Sequence, residues 1–177
     1  YRIASVADML LGSYDLNGKT ERLPRGMSAA NLAERVPAGA TNVQTAEASN
    51  RNEIFVTVGE PTTTLFKPVG KGIELVPVTH PNDLIAGEAA SFQFLLDGKP
   101  AADLPVTVIP GGIRYRDQLG EQHLQTDADG KVSVTWPEAG MYWLNVTTAQ
   151  PEGMTEGTPP PIAKRASYVT TLEVLAP

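Results

Sequence analysis

Apolar and polar residues alternate along much of this chain, most clearly from Thr126 to Val146. Val132, Val134 and Trp136 alternate with Lys131, Ser133 and Thr135 after a turn at Asp129 and Gly130, which predicts a strand with one buried face. Pro137 and Gly140 break the pattern. Tyr142, Leu144 and Val146 then resume the period of two, with Tyr142 where many immunoglobulin-like domains place a corner tyrosine. From Ile73 onward, turn signals recur at about the 8 to 12 residue spacing of a sandwich. The predicted strands are Ile73 to Val78, Ala90 to Leu96, Leu104 to Ile109, Ile113 to Arg116, His123 to Thr126, Lys131 to Trp136, Tyr142 to Thr148 and Ser167 to Leu175. Alternation assigns Phe92, Phe94, Val106, Val108, Val132, Val134, Tyr142, Leu144, Leu172 and Val174 to the inside.

The first part of the chain reads less cleanly. Tyr1 to Val6 alternates like a strand, and its position suggests a fragment whose partner strands, first domain and signal peptide lie upstream or in another chain. Asn17 and Gly18 signal a type I′ hairpin that returns the chain from Tyr14 along Lys19 to Arg22. A short helix is expected from Ala29 to Val36, with Ser28 as N-cap, a staple between Met27 and Leu32, and Pro37 as its stop. Val43 to Ala48 and Ile54 to Val58 read as two strands separated by a polar turn at Asn50 to Asn52. Prolines and glycines between Pro61 and Gly72 mark a boundary. The expected organisation is therefore residues 1–66 as the C-terminal part of a β-rich domain with its connector, and residues 67–177 as an immunoglobulin-like antiparallel β-sandwich. The fold class is all-β.

Composition sharpens this picture. Sixteen glycines and 15 prolines are spread along 177 residues, as many short strands joined by turns require. A net charge of -6 disfavours nucleic acid and anionic membrane surfaces as partners. The chain has no cysteine, which removes disulfides and thiolate chemistry and suits the bacterial periplasm. No apolar run reaches the roughly 20 residues that span a bilayer.

Candidate chemistry is sparse. The two histidines are His80, in THPND with Asp83 three residues on, and His123, beside Glu121. If their loops share one end of the sandwich, His80, Asp83, His123 and Glu121 form a mixed nitrogen and oxygen site for a divalent metal. The alternative, which the residue context favours, is a histidine that caps a strand-ending turn. Asp127, Asp129 and Gly130 fail the EF-hand frame, because Gln125 and Trp136 fall where acidic ligands are needed, so they read as a turn. Arg114 and Arg116 share one face of their strand and either grip an anion or, the favoured reading, pair with Asp117 and Glu121. Asn145 to Thr147 matches a glycosylation sequon but falls within a strand. No nucleophile elbow, phosphate loop or acid and base pair stands out, so an enzyme is not expected. The long connection from Gln150 to Arg165, with Pro159, Pro160 and Pro161, has the length of a functional or mobile loop.

Four segments together, GIELVPVTHPNDLIAGE from Gly72, FLLDGKPAADLPVTVIPGGIRYRD from Phe94, TDADGKVSVTWPEAGMYWL from Thr126 and KRASYVTTLEVL from Lys164, resemble an exported proteobacterial family of unknown function often labelled a nickel or cobalt uptake component. That resemblance implies a periplasmic, non-enzymatic binding or accessory protein. It has no cofactor beyond a bound nickel or cobalt ion, and its partner is that ion, its chelate or a protein of an uptake system. It places His80 and Asp83 by motif, and His123 is the further candidate ligand. The alternative is a structural or adhesion-type interaction module without metal.

Overall fold

The computed structural model describes residues 1–28, 30–148 and 164–177. In chain order the elements are β1 (Arg2–Leu16), β2 (Lys19–Arg22), α1 (Leu32–Arg35), β3 (Thr41–Phe55), β4 (Ile73–Pro77), β5 (Ala89–Leu96), β6 (Lys99–Pro100), β7 (Pro105–Pro110), β8 (Gln122–Gln125), β9 (Lys131–Thr135), β10 (Gly140–Thr147) and β11 (Arg165–Val174). The protein is all-β, as expected. One sheet has seven strands in the order β2-β1-β3-β11-β10-β7-β8. The other is built on β5, which pairs with β4 along one edge and with β6 and β9 along the other.

The predicted strands from Ile73 onward fall where alternation puts them, with one exception. Alternation is visible because each strand has one face in the core and one in water. All ten side chains assigned to the inside are buried, among them Phe92, Phe94, Val108, Val134 and Leu144 with no exposed surface. Trp136 sits between Phe92 and Tyr142, with ring centroids 6.5 and 5.0 Å away in edge-on contact. The exception is Ile113 to Arg116, a 3₁₀ turn over Ile113–Tyr115 instead of a strand. Gly112, at φ 72°, turns the chain there, so Arg114 and Arg116 do not share a strand face. Arg116 donates to the Pro110 carbonyl and not to Asp117 or Glu121.

At Asp127 the chain forms the expected turn. Its carboxylate accepts the amides of Asp129 at 2.9 Å and Lys131 at 2.8 Å. Gly130, at φ +72°, packs so closely that an added Cβ would lie 2.5 Å from the Phe94 carbonyl oxygen and 2.8 Å from the Ala101 nitrogen. Only glycine fits that contact.

The first part of the chain departs further from expectation. Within the predicted Tyr1 to Val6, the strand starts at Arg2 and runs 15 residues to Leu16, and its partner is β3 of the same chain in antiparallel register from Arg2↔Phe55 onward. The hairpin at Asn17 and Gly18 forms as predicted, with φ 52° and 76°. Val43 to Ala48 and Ile54 to Val58 are not two strands, because β3 runs unbroken through Asn50 to Asn52. Those polar residues alternate faces like any others. Asn50 lies on the outer face against Ser167, while Arg51 and Glu53 turn inward and pair with each other.

The expected helix shortens to the single turn Leu32–Arg35, and Ser28 does not cap it. Instead the Ser28 amide donates to Asn31 Oδ1 at 2.8 Å. Ala29 lies outside the described residues, as does most of the connection from Gln150 to Arg165. Met27 and Leu32 nevertheless meet as a staple would, in a small cluster with Leu10, Tyr14 and Leu23. The expected boundary between residues 66 and 67 lies between β3 and β4, and the seven-stranded sheet includes strands from both sides of it. Their joint is the parallel pairing of β3 with β11, from Ala48↔Arg165 to Glu53↔Thr170.

Candidate functional site

The joint between the amino-terminal strands and the sandwich is held by a buried carboxylate. Glu53 has a fully buried side chain, which is costly for a charge unless it is paired. Arg2 Nε donates to Glu53 Oε1 at 3.0 Å, Arg51 Nε donates to the same oxygen, and Tyr168 Oη donates to Oε2 at 2.9 Å. Burial and the Glu53 charge push the Tyr168 hydroxyl well above its ordinary pKa, so it stays a donor. Arg2 also reaches the carbonyls of Leu65 and Leu75, each at 3.4 Å. This cluster is complete in itself and offers no free group to a ligand. The alternation that marks strands carries no sign of it, and the available clue was Arg51, two residues before Glu53 and so on the same face of a strand.

Beyond the joint the inner face of the sheet runs past the end of the second sheet and leaves a crevice of about 210 Å³. Its walls are Asp8 and Leu10 of β1, Glu47 and Ser49 of β3, Met27, and Gly72, Asp97 and Lys164 from the end of the sandwich. Gly72 makes the narrow end possible. At φ +65° it sits so close to β3 that an added Cβ would fall 2.6 Å from Ser49 Oγ. Two exposed ion pairs rim the opening, Lys71 Nζ to Asp8 Oδ2 at 2.7 Å and Lys164 Nζ to Asp97 Oδ2 at 3.5 Å. Hydrogen bonds from Lys71 and then Ser49 hold the Asp8 carboxyl below the usual carboxylate range, and Asp8 in turn raises Lys71. None of these residues stands out in the sequence, because they come from six separated segments.

The sequence-predicted ligands lie elsewhere and apart. His80 lines a second hollow with Phe55, Phe66 and Asn82. Its Nδ1 accepts the Asn82 amide at 3.1 Å, its Nε2 faces the Thr62 carbonyl oxygen at 3.3 Å, and its ring meets Phe66 edge-on at 5.3 Å. An accepting Nδ1 fixes the tautomer, with the proton on Nε2 directed at Thr62. Asp83 is exposed, and its amide donates to the His80 carbonyl at 2.9 Å. These are the bonds of a turn cap. His123 lies on β8 at the far edge of the sheet, where Nε2 pairs with Glu121 at 3.1 Å. Four strand spacings, roughly 19 Å, separate β8 from β3, whose end packs near His80 through Phe55 and Phe66. The structure therefore brings His123 together with Glu121, and His80 with Asp83 through the backbone, but not the two pairs. Among the described residues no three His, Cys, Asp or Glu side chains are grouped to hold a metal ion. No helix among them is long and apolar enough to cross a membrane.

No curated protein and no solved structure matches the chain. Residues 1–150 match the family described as Domain of unknown function (DUF4198), which takes in both the long amino-terminal hairpin and most of the sandwich. The chain belongs to that family.

Proposed function

We propose that this chain is a non-enzymatic binding or accessory module, placed in the periplasm, and that it works through the crevice between the amino-terminal hairpin and the end of the sandwich. The observation that carries this reading is the crevice itself, with an apolar floor of Leu10 and Met27 under a rim that presents both signs of charge. Exposed ion pairs are weak, so Lys71, Asp8, Lys164 and Asp97 can exchange their partners for those of a ligand at little cost. A ligand with both charges and an apolar portion, such as a peptide segment of a partner protein, matches that rim. The absence of cysteine makes the test simple. A single cysteine introduced as Glu47→Cys, carrying a thiol-attached photocrosslinker, should give a discrete adduct in a periplasmic extract, one that the charge reversal Lys71→Glu removes. The same label at Lys19→Cys, outside the crevice, should give none. Equal labelling from both positions would count against the crevice.

The nickel or cobalt form of this proposal attaches to His80 with Asp83, or to His123, and draws its support from the family resemblance. Neither histidine has the other as a co-ligand, so each site would be weak and would require His80 to give up its turn bonds. Calorimetric titration with Ni²⁺ and Co²⁺ tests it. Saturable binding lost in His80→Ala or His123→Ala supports the metal reading, and no binding leaves the module without metal.

A further inference from the structure

The seven-stranded sheet turns one face to the core and the other to water, and on the water side of β7, β10 and β11 the side chains are almost all neutral. Charged residues make up 19% of the chain, yet in these three strands they occur only at the two ends of β11, as Arg165 and Glu173. In the middle of this face stands Trp143. Its strand neighbours Tyr142 and Leu144 are buried, whereas Trp143 is 37% exposed. Across the ladders it lies opposite Ile109 of β7 and Thr171 of β11. Asn145 follows two residues, roughly 7 Å, along the strand, with Thr107 opposite it.

The polar groups around the indole have bonding capacity to spare. The side-chain hydroxyls of Thr107, Thr147 and Thr171 make no hydrogen bond among the described residues, and each can both donate and accept. Asn145 donates from Nδ2 to the Tyr168 carbonyl at 3.3 Å, which leaves its Oδ1 as an acceptor. A charged ligand gains little here, because no side chain in the middle of the face can neutralise a phosphate, a carboxylate or an ammonium.

We propose that this face binds a neutral glycan chain, with one sugar ring laid by its C–H side on Trp143 and its hydroxyls bonded to Thr171, Asn145 and Thr107. A sugar ring matches the surface twice over. Its apolar C–H groups are held against an indole by dispersion, and its hydroxyls give and take hydrogen bonds as the threonines and the asparagine do. A protein partner favours a contiguous apolar centre with polar groups at the rim, whereas here Thr171 and Asn145 adjoin the indole itself. The site lies on the opposite side of the sheet from the crevice and does not depend on it.

Tryptophan fluorescence provides the first test, because Trp136 has no exposed surface and Trp143 is the one other tryptophan. Maltohexaose, cellohexaose and chitohexaose are titrated into the 177-residue chain. At least one should shift the emission saturably, with a dissociation constant of about 0.1 to 1 mM, as one stacked ring with a few hydrogen bonds gives. Variants are then compared by saturation-transfer NMR, which observes the sugar and so does not depend on the indole as reporter. Trp143→Ala should weaken binding at least about ten-fold, and Thr107→Val, which keeps the shape of the side chain, about three-fold. The threonine variant serves if the tryptophan variant folds poorly. An oligogalacturonate, with a carboxylate on each ring, should bind no more tightly than the neutral sugars. No binding of any neutral hexasaccharide at about 10 mM, binding that both substitutions leave unchanged, or a preference for the oligogalacturonate overturns the proposal. So does self-association in sedimentation velocity that Trp143→Ala abolishes and the sugars leave untouched, which would assign the face to a second copy.

Discussion

At Tyr142 the ring is buried to 2% exposure and the hydroxyl donates to the Glu138 carbonyl at 2.8 Å, four residues upstream. The ring fills core volume against Trp136, while the hydroxyl ties the β9–β10 connection to the strand. The two contributions separate by substitution. Tyr142→Ala should cost about 3 to 5 kcal/mol through the lost packing, and Tyr142→Phe about 1 kcal/mol through the lost hydrogen bond. Denaturant melts of the two variants check the ratio. Glu53 behaves differently, because it is held by charge. Glu53→Gln leaves Arg2 and Arg51 without their counter-charge in a buried site and should cost about 3 to 5 kcal/mol in the same melts. The crevice pair offers a third test at this scale. Lys71 lowers the Asp8 pKa, so the pair adds stability above the ordinary aspartate range and loses it as pH falls through the lowered value. Lys71→Met should raise the Asp8 carboxyl toward the usual range in a carbon-detected pH titration, with the Ser49 hydrogen bond still acting to lower it.

Element by element, the sandwich was legible because its strands alternate strictly, and Tyr142 could be placed from its position after a proline and glycine break. The continuity of β3 was not legible. Asn50, Arg51 and Asn52 look like a turn when polarity is read as solvent exposure, whereas Arg51 is satisfied inside by Glu53, a partner that only the fold reveals. The candidate ligands illustrate the same limit, since two histidines were visible but the four strand spacings between their neighbourhoods were not. The β3–β4 connection depends on a similar hidden partner. Glu74, with no exposed surface, accepts the Val69 amide at 2.8 Å with one carboxylate oxygen and the Gly70 amide at 2.7 Å with the other. This clip fixes the connection as it enters β4 and so sets the position of Lys71 and Gly72 in the crevice. Glu74→Ala should raise amide exchange at Val69 and Gly70 selectively, and cost about 1 to 3 kcal/mol for donors left unpaired. Exchange followed by NMR or mass spectrometry would show whether the effect stays local.

Across the whole molecule, apolar burial is unequal. The sandwich has one large core running from Ile73 to Val174, whereas the far end of the amino-terminal hairpin rests on a small cluster of Leu10, Tyr14, Leu23 and Met27. The two are joined by the shared sheet, through the β3–β11 pairing and the Glu53 cluster beneath it. A region with few buried contacts opens at lower free energy than the core it is attached to, even when its strands are continuous with that core. The hairpin tip, from about Leu10 through Met27, should therefore exchange its amides by local opening, while the inner halves of β1 and β3 exchange only with the sandwich. Met27 is the sharpest probe, because it is 2% exposed and its carbonyl accepts the Leu10 amide. Met27→Ala removes the centre of the small cluster, at a local cost within the roughly 2 to 5 kcal/mol of large-to-small core changes. Amides of Leu10 to Leu16 and of β2 should then lose protection, and those of β5, β7 and β10 should keep theirs. Equal loss in both regions would mean that hairpin and sandwich open as one unit, with the crevice between them as rigid as the core.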